Sequence, residues 1–127
     1  MIALVVDDSM LVRHTVCRFL EERGFTVSAV SDGQEAIDKL RDLTPSLIIT
    51  DIKMPNVDGT QLITALKQDP KTAKIPIIIV AGRHSGFEHT ETRADFVIFK
   101  DIDVESQLLK ALKAIFGTTA AAAAAQS

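Results

Sequence analysis

Leu47-Ile-Ile-Thr-Asp-Ile-Lys-Met-Pro-Asn-Val-Asp-Gly59 is the stretch on which the fold turns. Leu47 to Thr50 form a short apolar run rich in β-branched side chains, which suits a strand buried on both faces. Asp51 ends the run, and Met54-Pro55-Asn56 with Asp58-Gly59 supply turn and breaker residues directly after it. A carboxylate at the C-terminal tip of a buried strand faces the crevice where open α/β sheets bind ligands. Taken alone, such an Asp51 is more often a loop cap.

A second buried-strand pattern, Ile2-Ala3-Leu4-Val5-Val6, ends in Asp7-Asp8. If the two strands are parallel neighbours, three carboxylates converge at one edge of the sheet. Two unit charges about 4 Å apart repel by roughly 4 kcal/mol at an effective dielectric of 20. Such a cluster takes up a proton or a cation. Oxygen ligands with so few carboxylates suit Mg²⁺, which keeps several waters and often shares its shell with phosphate.

The 127 residues fit one domain, and 46% hydrophobic with 24% charged residues is an ordinary globular composition. A net charge of −3 gives no electrostatic case for nucleic acid or an anionic membrane. One cysteine, Cys17, excludes an internal disulfide and fits a reducing compartment. No apolar run is long enough to span a bilayer, and the N-terminus lacks the charged start of a signal peptide. The expected location is cytoplasmic.

Ser9 to Arg23 reads as a helix with Leu11, Val12, Thr15, Val16, Phe19 and Leu20 on its buried face, stopped by Gly24. Phe25 to Val30 is a more polar strand that suits a sheet edge. Asp32 caps a helix to about Leu43, with Glu35 completing a capping-box-like pair and Pro45 ending the segment. A third helix starts at Asp58 or Gly59 and runs to about Gln68. Ile75 to Val80 and Phe96 to Phe99 are the fourth and fifth strands, and Val104 to Phe116 the last helix, stopped by Gly117. Alternating strands and helices at this spacing predict a doubly wound five-stranded parallel α/β sheet with helices on both faces. Ala81 to Asp95 has almost no apolar periodicity, so a fourth helix there would be short or irregular, within Glu88 to Arg93. The expected domain is 1–117, with 118–127 an alanine-rich tail or linker stub.

Asp7-Asp8 after the first strand, Asp51 in D-x-x-M-P-x-x-D-G after the third, and Lys100 after the fifth resemble the receiver domain of two-component response regulators. The resemblance spans Ile2 to Phe116. It implies a flavodoxin-like sheet of order 2-1-3-4-5 and phosphorylation of Asp51 by a histidine kinase or phosphotransfer protein. It further implies Mg²⁺ on Asp8, Asp51 and the backbone carbonyl of Lys53, with Asp7 acting through water. Lys100 would pair with Asp51 and then with a phosphoryl oxygen. Such a domain is not an enzyme beyond its own phosphoryl transfer and autodephosphorylation.

Three positions depart from the family pattern. Ala81 stands where a Ser or Thr is usual, Val97 where an aromatic switch residue is usual, and Asp101 where a proline commonly follows the lysine. Alanine has no donor, and a hydrogen bond to a charged oxygen contributes roughly 1.5–3 kcal/mol, on the scale of a whole allosteric coupling. The expectation is that Asp51 is still phosphorylated while any output uses the 81–95 segment. Arg83 and Lys53 flank the acceptor in the family and read equally as solvated surface charges. His84 and His89, near Glu88 and Glu91, are badly spaced for a metal site. His14 lies on the helix where the family's phosphodonor partner docks, and Cys17 fringes the core.

Direct output has to come from contact with a downstream protein, on a surface around the fifth strand and its flanking helices. The alternative is a pseudo-receiver that binds partners without phosphate, favoured by Ala81, Val97 and Asp101. A Mg²⁺-dependent phosphatase with an aspartyl nucleophile wants a D-x-D pair, whereas Asp51 is followed two residues on by Lys53.

Overall fold

Five parallel strands, as the sequence pattern predicts, form one sheet in the order β2-β1-β3-β4-β5 that the family resemblance implies. The computed structural model describes residues 1–52, 58–82, 94–100 and 103–126. The strands are β1 (Ile2–Val6), β2 (Thr26–Val30), β3 (Leu47–Asp51), β4 (Ile77–Ala81) and β5 (Phe96–Phe99). The helices are α1 (Met10–Glu21), α2 (Gly33–Lys39), α3 (Gly59–Gln68) and α4 (Val104–Gln126).

Side-chain alternation along the strands sorts the core into two layers. Ala3, Val5, Leu47, Ile49, Ile78, Val80 and Ile98 face α1 and α4, against Val16, Phe19, Leu20, Leu108, Ala111 and Leu112. Leu4, Val6, Ile48, Ile77, Ile79 and Ala81 face the other way, against Ala36 of α2 and Leu62, Ile63 and Leu66 of α3. Strands β3 and β4 are buried throughout, whereas β2 at one edge is mostly half-buried or exposed. Each fully buried Leu or Ile contributes roughly 1.5–3 kcal/mol, so this double-sided burial fixes which strand lies in the middle.

Several boundaries shift from the predicted ones for local reasons. Ser9 caps α1 from outside rather than joining it. Leu11, expected on the buried face, is 76% exposed because it falls off the Val12–Val16–Phe19–Leu20 stripe. Helix α2 stops at Lys39 instead of about Leu43, its end tightened by Arg41 and Asp42 N–H groups donating to the Asp38 and Lys39 carbonyls. Asp32 caps that helix as expected, but the Glu35 carboxylate turns to the Ser31 N–H and hydroxyl rather than back to Asp32. Strand β4 begins at Ile77, since the Ile75 N–H donates to Thr72 and Pro76 has none, and it ends one residue later, at Ala81.

Gly24 closes the α1 turn with φ 87°, and Gly117 has φ 82°. At Gly117 the last helix kinks, with helical backbone on both sides. Between α2 and α3 lies a groove of about 350 Å³ floored by Ile37, Leu40, Leu62 and Leu66. It sits toward the C-terminal end of α3, where Arg41, Asp69, Lys71 and Thr72 also line it, and none of Asp7, Asp8 or Asp51 does.

Candidate functional site

The tips of β1, β3 and β5 bring Asp7, Asp8, Asp51 and Lys100 together. Asp7 follows β1 directly, and its N–H continues the ladder to the Val30 carbonyl at 3.2 Å. Its side chain is buried, with Oδ1 accepting the Ser9 N–H at 2.8 Å. Arg13 donates to the Asp7 carbonyl at 2.7 Å, so the first turn of α1 fixes this residue from two sides. Asp8, next in the chain, faces solvent.

Asp51 is the last residue of β3 and is 5% exposed. Its Oδ1 accepts the Ile52 N–H at 2.7 Å, and its Oδ2 accepts from Lys100 Nζ at 2.8 Å. The backbone behind it is gripped by Gly59, whose N–H donates to the Ile52 carbonyl at 2.8 Å. A Cβ on Gly59 would lie 2.4 Å from the Asp51 carbonyl oxygen and 2.8 Å from Ile52 Cα, so only glycine allows α3 to start this close. Asp58 and Gln61 complete a capping box at the same helix start.

Lys100 reaches in from the end of β5, and its own N–H donates to the Ala81 carbonyl at 3.0 Å. Its Nζ also stands 3.5 Å from Asp7 Oδ2, an electrostatic contact too long for a good hydrogen bond. Asp7 Oδ2 is therefore a buried acceptor with no hydrogen-bond partner. Carboxylate oxygens of Asp7, Asp8 and Asp51 lie within 4.8 Å of one another. An orphaned oxygen in an all-oxygen cluster fits a small hard divalent cation, for which Asp7, Asp8 and Asp51 are the available ligands.

The electrostatics follow from burial. Burial pushes Asp7 up from 3.8 to about 6; the Ser9 N–H pulls it back and the Asp51 charge adds to the rise. Burial likewise raises Asp51, against the Lys100 hydrogen bond and charge and the Ile52 N–H. For Lys100, burial works against the charged form, but the Asp51 hydrogen bond and the Asp7 and Asp51 charges outweigh it and leave the ammonium raised. The lysine is thus a fixed cation facing two carboxylates that carry their charge reluctantly.

Ala81 and Val97 occupy the positions expected to be atypical. Ala81 is buried at the end of β4, opposite Phe99, and offers the site only a methyl group and a carbonyl already used by Lys100. Val97 is half-buried and packs against the layer that contains Ala81. The Lys53 carbonyl, Arg83, His84, Glu88, His89, Glu91, Asp101 and most of the 81–95 segment lie outside the described residues. His14 is exposed on α1. Cys17 is half-buried against the core, and burial, then the Glu21 charge, push its thiol up, away from reactivity. Ser9 and Arg13 went unremarked in the sequence as site residues; a Ser directly before a helix and after the acidic pair was the available signal.

Residues 3–113 match the response regulator receiver domain family. The chain is 32% identical over 114 residues to protein PilG of Pseudomonas aeruginosa, covering 87% of this chain and 84% of that one. It is 41% identical over 79 residues to the gliding motility regulatory protein of Myxococcus xanthus, covering 62% of this chain but spanning only 10% of that protein's length. Among solved structures, the chemotaxis response regulator CheY4 of Vibrio cholerae superposes with a TM-score of 0.81 at 27% identity, covering 90% of this chain and 97% of that one. The receiver domain of a sensor histidine kinase from Pseudomonas aeruginosa, with a magnesium ion in its active-site cleft, shares the fold at TM-score 0.81 and 18% identity, covering 92% and 98% of the two chains. Five parallel strands in this order carry acids at the tips of β1 and β3 and a lysine at the tip of β5. This chain belongs to the response regulator receiver domain family of two-component systems. Among the described residues, no helix is long and apolar enough to cross a membrane.

Proposed function

We propose that Asp51 accepts a phosphoryl group from a histidine kinase or phosphotransfer protein, with Mg²⁺ held by Asp7, Asp8, Asp51 and the Lys53 carbonyl. The observation that carries this reading is the Lys100–Asp51 pair beside an orphaned, buried Asp7 oxygen. One oxygen of Asp51 attacks phosphorus in line; the new O–P bond forms as the P–N bond to the donor imidazole breaks, and the ring, protonated on its other nitrogen, takes the electron pair and leaves as neutral imidazole. Lys100 then moves its ammonium from carboxylate to phosphoryl oxygen. Positive charge aimed at the equatorial oxygens is what lowers this barrier, and a bound divalent cation would supply the remainder. Ser9 and Arg13 keep Asp7 in place throughout. The product is an acyl phosphate, labile enough for a transient signal.

Met10 and Leu11, 75% and 76% exposed at the start of α1 beside Asp8, are available to a docking phosphodonor. The receiver would run over 1–117 with 118–127 as tail, act in the cytoplasm, and signal to a downstream protein without contacting nucleic acid or membrane itself. The test is intact-protein mass after incubation with a small phosphodonor and Mg²⁺, with Asp51→Asn as control. An adduct on the parent alone supports the reading; none, with the fold intact, removes it.

The second reading is a pseudo-receiver that binds its partner without phosphate. Ala81 and Val97 favour it, because the tip of β4 offers a transferred phosphoryl group no side-chain donor. Partner binding that is equal for the parent and Asp51→Asn would support it.

A further inference from the structure

β5 is the outer strand of the sheet, and Phe99, directly before Lys100, turns its N–H and C=O away from β4. Gln107, in the first turns of α4, meets both groups. Its Oε1 accepts the Phe99 N–H at 2.9 Å, and its Nε2 donates to the Phe99 carbonyl at 2.9 Å. A primary carboxamide carries the same donor and acceptor as a peptide unit, so one side chain does here what a sixth strand would do. The helix end that presents it is itself fixed. Asp103 accepts from the Ser106 N–H at 3.2 Å and the Ser106 hydroxyl at 2.8 Å, and the second Gln107 amide hydrogen reaches the Asp103 carbonyl at 3.3 Å.

Lys100 is therefore held between two backbone anchors: its own N–H on the Ala81 carbonyl, and the preceding residue on Gln107. We propose that Gln107 is a positioning residue for Lys100, clamping the outer edge of β5 at Phe99 and so fixing where the ammonium stands against Asp51. Helix α4 docks through Leu108, Ala111 and Leu112 whether or not the clamp exists, so losing Gln107 frees the strand tip without undocking the helix. Misplacing a charged group by an ångström is costly where charge must meet a transferring phosphoryl oxygen. The bearing on transfer rests on the phosphoacceptor reading; the positional claim stands apart from it.

The experiment acylates the whole chain with an amine-reactive ester and follows each lysine by mass spectrometry, for the parent, Gln107→Leu and Gln107→Asn. Leu keeps the size and loses both hydrogen bonds, while Asn keeps the amide but withdraws it by one methylene. Exposed Lys110 and Lys113 on the same helix serve as internal references. Lys100 acylation is expected to rise about tenfold in both variants, the scale of one or two net hydrogen bonds, with the references unchanged. Phosphorylation by a small phosphodonor should fall in parallel while Mg²⁺ affinity holds, because no carboxylate is touched. Equal Lys100 rates in the parent and either folded variant overturn the proposal. If Gln107→Leu fails to fold, Gln107→Asn decides alone. A parent that takes no phosphoryl group sinks the functional reading, yet the acylation comparison still decides the clamp.

Discussion

Lys100 Nζ stands 2.8 Å from Asp51 Oδ2, an ion pair between residues 49 apart in the chain. The pair is largely shielded, with 26% and 7% of the two side chains exposed. Burial raises Asp51, and the Lys100 hydrogen bond and charge pull it back toward the ionised form. Lys100→Met should therefore raise Asp51 further and slow phosphoryl acceptance by about 100-fold, as for loss of one preorganised donor. Lys100→Arg should recover only part of the rate, since the planar fork cannot stand where the ammonium does. Initial rates of adduct formation at saturating Mg²⁺ measure both, and an unchanged Lys100→Met rate would separate the lysine from the chemistry.

Asp7 should give the metal-free protein a pH-dependent stability of unusual sign. Its folded-state value of about 6 lies above the ordinary 3.8, so between those limits the folded state holds a proton that the unfolded state releases. Its contribution to stability is thus most favourable at low pH and is lost as pH rises through about 6. In chelator, Asp7→Asn should raise the melting temperature at about pH 7.5 and change it little near pH 4.5, with a gain on the order of 1–2 kcal/mol. Mg²⁺ should stabilise the parent more at the higher pH. Calorimetry across pH, with and without the ion, reads all of this, and a Mg²⁺ effect flat with pH would contradict it.

Gly59→Ala should damage fold and site together. The new methyl meets backbone atoms of Asp51 and Ile52 that cannot swing aside. The expected cost is about 1–3 kcal/mol by denaturant unfolding, together with weaker Mg²⁺ binding, because the displaced backbone carries Asp51. A loss of stability with metal affinity intact would show that α3 yields instead of β3.

Ala81→Ser tests the bare wall at the end of β4. A hydroxyl there would donate to a charged phosphoryl oxygen, worth roughly 1.5–3 kcal/mol. Phosphoryl acceptance should quicken by about tenfold or more. An unchanged rate would mean that this position does not face the transferred group.

The sheet was legible because Ile77, Ile78 and Ile79, like Leu47 to Ile49, form runs too apolar for any half-exposed element. The acidic cluster and the lysine were legible because each sits one step past such a run. Leu11 was misplaced because its hydropathy is that of a core residue; only its angle around α1 puts it outside. The early end of α2 was hidden because capping turns at Leu40 to Asp42 compete with propensity by small margins. Gln107 was invisible for a different reason. A side-chain amide that meets a backbone eight residues earlier leaves no periodicity behind.

Asp7 comes from the first strand of the chain, Asp51 from the third and Lys100 from the fifth, and the sheet places β1 and β3 side by side with β4 between β3 and β5. No fragment shorter than residues 7–100 contains all three. The cluster is consequently a property of the whole sheet, complete only when β1, β3 and β5 are all in place. A chain cut short of β5 would carry the aspartates without the lysine. On the proposed reading, competence to accept a phosphoryl group and completion of the sheet would be one event.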